Sequence, residues 1–331
     1  MRIPIKPFFV SALAATGLLV GCDKTDPFNN PSPVPSSKSL VDLVNSDKNF
    51  SRLAQAVTRA NVAGALGGTN LTLFAPDNGA FAAAGLDSAT IAKTDPTALA
   101  NVLKYHVLSS PIRSSDLPVA VNKETPTLNG TAYVSRYDFG TPAIAVNGAH
   151  VTLSDITATN GVVHILDRVL MPPVGTIADA INTGANFTFL KAAIARAGLG
   201  AALAGAGPLT LFAPTDDAFK TSSPYKTLDQ INAADPAALA AILRYHVAQG
   251  RIFTTNFVPK AIPVTGAIGV PGTLMTSDTI SANGNIQLAG IGNYTLDKDG
   301  KKVYDQATIT RPNLLYTNGV VHAIDRVLLP K

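Results

Sequence analysis

Four histidines stand at duplicated positions, and they are the side chains here best suited to chemistry. His106 and His246 each follow a tyrosine, while His164 and His322 lie inside two nearly identical stretches, NGVVHILDRVL at 160–170 and NGVVHAIDRVL at 318–328. An imidazole titrates near neutral pH and ligates metals, so each is a candidate general base or metal ligand. Two per repeat fall short of the three protein ligands that a catalytic zinc usually takes. Carboxylates are equally sparse: Asp167 and Asp325 follow the strand histidines, but the only glutamate in the chain is Glu124. Glycoside hydrolysis needs two carboxyl groups facing one cleft, and no second one is nominated. There is no His-Glu-x-x-His run and no G-x-S-x-G elbow. The alternative is architectural. Each histidine is then a buried polar group whose ring nitrogens brace helix against strand, and Asp167 and Asp325 cap backbone N–H groups where a strand ends. On that reading His164, Asp167, His246, His322 and Asp325 are structural, and neither a metal nor a cofactor is expected.

The elements that must position these residues are legible in the same repeats. Asn160-Gly161 and Asn318-Gly319 read as turn dipeptides able to take positive φ. The following Val-Val is β-branched, and alternation puts Val162, His164, Leu166 and Leu170 on one face and Val163, Ile165 and Val169 on the other. A strand apolar on both faces belongs in a buried position. LTLFAPDNGAF (71–81) and LTLFAPTDDAF (209–219) each predict a buried strand running into a helix, with Asp77 and Thr215 as N-caps and Phe81 and Phe219 packed one turn on. DPTALANVLKYHV (95–107) and DPAALAAILRYHV (235–247) predict helices opened by an Asp cap and a first-turn proline. Apolar residues recur at i, i+3, i+4 and i+7, so His106 and His246 fall on the buried stripe. The Gly-rich run 197–207 is only loosely like a phosphate loop; it precedes a strand and reads as a helix C-cap and turn.

These three motifs, in order and in two copies, resemble the fasciclin-like (FAS1) domain. The resemblance covers residues 38–173 and 174–331. It implies an α+β fold: two tandem FAS1-like domains, each a mixed β-wedge of about seven strands packed with short α-helices. It also implies extracellular adhesion through protein or polysaccharide, and no enzymatic activity. Some family members are thought to be recognised through an Asp-Ile pair and the Tyr-His segment, which points to Tyr105, His106, Asp155 and Ile156 as binding residues in the first copy. The second copy has TITRPNLLYTNG there and lacks the Asp-Ile pair. From His246 to Asn318 it is also 18 residues longer than the first copy from His106 to Asn160. The extra residues are expected within 290–311 as a hairpin around DKDGKK.

The amino terminus reads as a targeting signal. Arg2 and Lys6 precede an apolar run of 14 residues at 8–21, too short for the ~20 residues that span a bilayer. It ends on Leu-Val-Gly-Cys22, the chain's single cysteine, which resembles a bacterial lipoprotein signal: residues 1–21 removed and Cys22 lipidated. No disulfide framework is then possible. Residues 22–37, proline-rich and without apolar periodicity, read as an extended tether. The net charge is +4 over 331 residues, and neither module carries the basic stripe of a nucleic-acid binder. The expectation is a non-catalytic protein of the cell envelope, lipid-anchored at the outer membrane or cell surface, binding an extracellular or envelope protein or polysaccharide. The rival readings are an accessory subunit of an envelope complex and, further off, a glycan-active enzyme.

Overall fold

The computed structural model describes residues 37–137, 143–256, 262–265, 271–280, 286–289, 294–296, 298 and 302–330. The signal, Cys22 and nearly all of the tether lie outside them. Among the described residues the helices of the first module are α1 (Leu40–Ser46), α2 (Ser51–Ala60), α3 (Asn78–Ala83), α4 (Ser88–Lys93) and α5 (Pro96–Tyr105). Its strands are β1 (Leu71–Pro76), β2 (Val107–Leu108), β3 (Ala120–Thr127), β4 (Gly130–Tyr137), β5 (Ala143–Val146), β6 (Ala149–Ala158) and β7 (Gly161–Leu166). The second module has α6 (Ile177–Thr183), α7 (Thr188–Arg196), α8 (Gly200–Ala204), α9 (Asp216–Ser222), α10 (Leu228–Ala233) and α11 (Pro236–Tyr245). Its strands are β8 (Leu209–Pro214), β9 (Val247–Gln249), β10 (Ile262–Thr265), β11 (Pro271–Ile280), β12 (Ile286–Ala289), β13 (Tyr294–Leu296), β14 (Lys302–Tyr304), β15 (Ala307–Tyr316) and β16 (Gly319–Ile324).

Among the described residues each module builds one seven-stranded sheet, and the two have the same order. In the first it runs β2-β1-β7-β6-β5-β4-β3; in the second, β9-β8-β16-β15-β12-β11-β10. The central pair is parallel, Leu71↔Gly161 through Pro76↔Leu166 and Leu209↔Gly319 through Ile324↔Pro214, and the other described pairs are antiparallel. The sheet is therefore mixed. β13 and β14 form a separate two-stranded hairpin inside the 290–311 stretch, with Tyr294 opposite Tyr304; most of its tip lies outside the described residues.

The doubly apolar character of β1 and β7 has a direct cause. Leu71, Leu73, Ala75 and Val163 face a core lined by α2, α4 and α5 through Leu53, Val57, Ile91, Leu99 and Leu103. Phe74, Leu166 and Leu170 face a second core, with Tyr105, Leu108, Val134, Ile144 and Val146 from the folded-over sheet. A strand between two cores is buried on both sides, which is where parallel pairs are stable. Helix starts follow the cap chemistry: Asp77 accepts from the Ala80 N–H at 2.7 Å and Asp95 from the Ala98 N–H at 2.8 Å, with Pro96 in the first turn. No helix among the described residues is long and apolar enough to cross a membrane.

Two sequence expectations change. Neither Asn160 nor Asn318 has a positive φ, and Gly161 and Gly319 do not either. Glycine is needed there for closeness instead: a Cβ on Gly161 would lie 2.3 Å from the Leu71 carbonyl oxygen, and one on Gly319 1.9 Å from that of Leu209. His106 and His246 are also not within their helices. Each is the C-cap, one residue past the last turn.

Candidate functional site

In each module the two histidines end up close to the β1/β7 or β8/β16 pair, and all eight ring nitrogens are occupied. His106 folds back so that Nδ1 meets the Val102 carbonyl at 2.8 Å, while Nε2 faces the Leu170 N–H at 2.9 Å. The bonding pattern assigns the Nδ1–H tautomer, with Nε2 accepting. His246 repeats this with Ile242 and Leu328 at 2.8 and 2.9 Å. The strand histidines take the opposite tautomer. His164 Nε2 donates to the Ile112 carbonyl at 2.8 Å and Nδ1 accepts from the Asp155 N–H at 3.4 Å. His322 does the same with Ile252 at 2.8 Å and Asn313 at 3.2 Å.

Burial, the largest cause in each case, disfavours the imidazolium. It brings His106, His246 and His322 down to about 4, and it lowers His164 as well. These rings are neutral at physiological pH with no lone pair to spare, so none is placed to act as a base or a ligand. Among the described residues, no group of three or more His, Cys, Asp and Glu side chains is placed to hold a metal.

The binding set Tyr105, His106, Asp155 and Ile156 divides. Tyr105 is fully buried; its hydroxyl donates to the Thr131 carbonyl at 2.8 Å and accepts from Asn147 Nδ2 at 2.9 Å, and burial raises its pKa. His106 is 1% exposed. A ligand cannot reach this half of the set without opening the seam between α5 and the sheet, a correction to the binding role given these two residues. Asp155 and Ile156 are half-buried. Asp155 occupies a bulge in β6 with φ 63°, a left-handed conformation that aspartate tolerates. Its carboxylate turns inward, accepting from the Ser114 N–H at 2.8 Å and from the Ser114 hydroxyl. Ile156 packs against the helical core.

Asp167 and Asp325 cap the ends of neighbouring strands. Asp167 accepts from the His150 N–H at 2.8 Å while its own N–H donates to the His150 carbonyl at 3.1 Å. Asp325 does the same with Thr308, at 2.6 and 3.1 Å.

Sequence reasoning missed the residue that completes the network. Thr72, fully buried in β1, donates to the Ser110 carbonyl at 2.7 Å and accepts from the Ile112 N–H at 2.8 Å; Thr210 repeats this with Gly250 and Ile252. The signal was the second residue of LTLFAP, a hydroxyl in an otherwise apolar strand, present in both copies. In the first module Thr72, His164 and Asp155 thus hold residues 110–116 at three points, while Arg113, Ser115 and Asp116 remain exposed. The arrangement is a loop mount.

The profile of the fasciclin domain matches the chain twice, at residues 48–172 and 185–330. The chain is 30% identical to the transforming growth factor-beta-induced protein ig-h3 of Sus scrofa over 79% of its own length and 35% of that protein. It is 27% identical to Homo sapiens periostin over 79% of its length and 28% of that protein, so it spans about a third of these relatives. Protein sll1483 of Synechocystis is 32% identical over 42% of this chain and 76% of that protein. A solved FAS1 domain pair from the insect cell adhesion molecule Fasciclin I superposes with a TM-score of 0.41 at 19% identity, over 85% of this chain and 97% of that one.

Proposed function

Because this chain belongs to the fasciclin domain family, we propose that it is a non-catalytic adhesion protein of the cell surface, binding an extracellular protein or polysaccharide through its outer loops. The observation that carries this reading is the loop mount. Thr72, Asp155 and His164 hold residues 110–116 in one shape, and a loop already fixed gives up less entropy on binding. Arg113, Ser115 and Asp116 then offer both signs of charge and one hydroxyl to a polar partner. Tyr105, His106, Asp155 and Ile156 act here as the frame beneath that surface. Display at the envelope is supported by the lipoprotein-like signal alone; with Cys22 lipidated, ~0.8 kcal/mol would be gained per buried CH₂ of each acyl chain.

The test is binding of the purified chain to arrays of glycans and matrix proteins, repeated with an Arg113→Ala/Asp116→Ala variant. A hit weakened at least tenfold by the variant supports the reading; retention of every hit at full strength refutes the loop assignment. Cell fractionation of a Cys22→Ser variant tests the anchor, which is wrong if the protein stays with the membranes.

A further inference from the structure

We infer that the tandem is asymmetric by construction: the second module's copy of the mounted loop is docked onto the first module's sheet, fixing the two modules as one body and leaving a single loop outward. Corresponding positions follow from matched bonds. Ile252 takes the place of Ile112 against the buried threonine, and Asn313 that of Asp155 against the strand histidine. The Phe253 N–H donates to Asn256 Oδ1 as the Arg113 N–H donates to Asp116.

At the points of contact, the otherwise duplicated modules differ. Arg251, where the first module has Pro111, lays its guanidinium 4.6 Å over the Tyr133 ring of β4. Phe253, where the first has Arg113, packs on the same ring at 6.2 Å between centroids and is 1% exposed. Leu315, where the first has Thr157, packs against that cluster beside Val320. Asn122, re-aimed by a bulge in β3 with φ 55°, donates to the Arg251 carbonyl at 2.5 Å and to Asn256 Oδ1 at 3.0 Å.

Asn313 is the most specific of these. Its Oδ1 accepts from the Thr254 N–H at 2.8 Å, as Asp155 accepts from Ser114, but its Nδ2 donates to the Gly148 carbonyl of the first module at 3.2 Å. Aspartate has no proton to give there and would set a carboxylate against a carbonyl. Gly148, φ +79°, fits closely: a Cβ on it would lie 2.3 Å from Asn313 Nδ2. The first module, with Arg113 and Asp155 at the corresponding points, is not equipped to dock this way. Such a head-to-tail contact would otherwise permit open-ended assembly, and the substitutions confine it to the pairing within one chain.

The clasp stands independently of what the outward loop binds, and its test does not read binding. Spin labels at Lys93→Cys and Lys226→Cys, one per module in a Cys22→Ser background, report the distance between modules by pulsed dipolar spectroscopy. The expected result is one narrow distribution, widened at least twofold by Phe253→Arg with Asn313→Asp. Both substitutions install residues with which the first module folds, and circular dichroism checks that the second still does. Tyr133→Ala, made from the other side of the contact, is expected to widen the distribution likewise. Arg113→Phe with Asp155→Asn is expected to leave it unchanged. A broad distribution in the starting protein, or widths unaltered by both Phe253→Arg/Asn313→Asp and Tyr133→Ala, would overturn the inference.

Discussion

The Nε2 atom of His106 accepts the backbone N–H of Leu170 at 2.9 Å, joining the end of α5 to the segment after β7 across 64 residues of chain. Protonation would set one N–H against another; burial, opposed in part by the bond to the Val102 carbonyl, brings this ring down to about 4. His246 and His322 are lowered to about 4 as well. The unfolded chain takes up these protons near pH 6.5, the folded chain only near pH 4, so protons favour unfolding. Stability is full above pH 6.5 and is lost as the pH falls toward 4, by on the order of 1 kcal/mol per pH unit for each histidine within that window. Urea midpoints at pH 7.5, 5.5 and 4.5 should fall in that order. Equal midpoints at 7.5 and 4.5 would show that these rings titrate alike in both states.

Removing a strand imidazole orphans two backbone groups at once. His164→Ala strips the Ile112 carbonyl and the Asp155 N–H of their partner, with an expected loss of about 1–3 kcal/mol in urea unfolding. His322→Ala should cost about as much in the second module through Ile252 and Asn313. Chelator supplies the control. EDTA should move neither midpoint, and a chelator effect as large as the mutation would reveal a metal site at these rings.

Gly161 is set by the approach of β1, so its replacement should be costly without any φ strain. In Gly161→Ala the new Cβ meets the Leu71 carbonyl at 2.3 Å, and the parallel pair must spread, for about 1–3 kcal/mol or more. Gly85, with φ +69° and open space around it, is the contrast: Gly85→Ala carries only conformational strain, about 1 kcal/mol. Thermal unfolding of the two variants should rank them in that order. The reverse order would mean that the strands separate easily.

The elements were readable because their signals are local. Asp95-Pro96 and Asp235-Pro236 state a helix start within two residues, and Val162–Val163 states a buried strand. What escaped depends on pairs far apart in sequence. Gly161 needs Leu71, 90 positions away, to explain it. In sequence the second copy reads as lacking the Asp-Ile pair, yet Asn313-Leu314 stands five residues before Asn318, as Asp155-Ile156 stands five before Asn160. Counting back from the shared Asn-Gly would have aligned them. Tyr105 and His106 belong to the binding set by resemblance alone, and only the folded sheet over α5 shows that they face inward.

Asn160 and Asn318 each brace their own module by side chain, beyond the turn that Asn-Gly predicts. Asn160 Oδ1 accepts from the Leu40 N–H at 2.8 Å, and its Nδ2 donates to the Leu66 and Gly68 carbonyls, both at 2.8 Å. Asn318 repeats all three bonds with Ile177, Leu203 and Gly205. One amide thus binds the first turn of the first helix to the segment before the central strand, using acceptor and donors together. Aspartate keeps the acceptor but has no donor, so Asn318→Asp should strand two carbonyls beside a buried charge; alanine removes both functions. Each should cost about 1–3 kcal/mol, with Asp the worse because Asn318 is 5% exposed and its charge would be poorly solvated. Hydrogen exchange at the Ile177 amide separates the two: protection should survive in Asn318→Asp and be lost in Asn318→Ala. Equal protection in both variants would mean that the carboxamide oxygen is not what holds α6 in place.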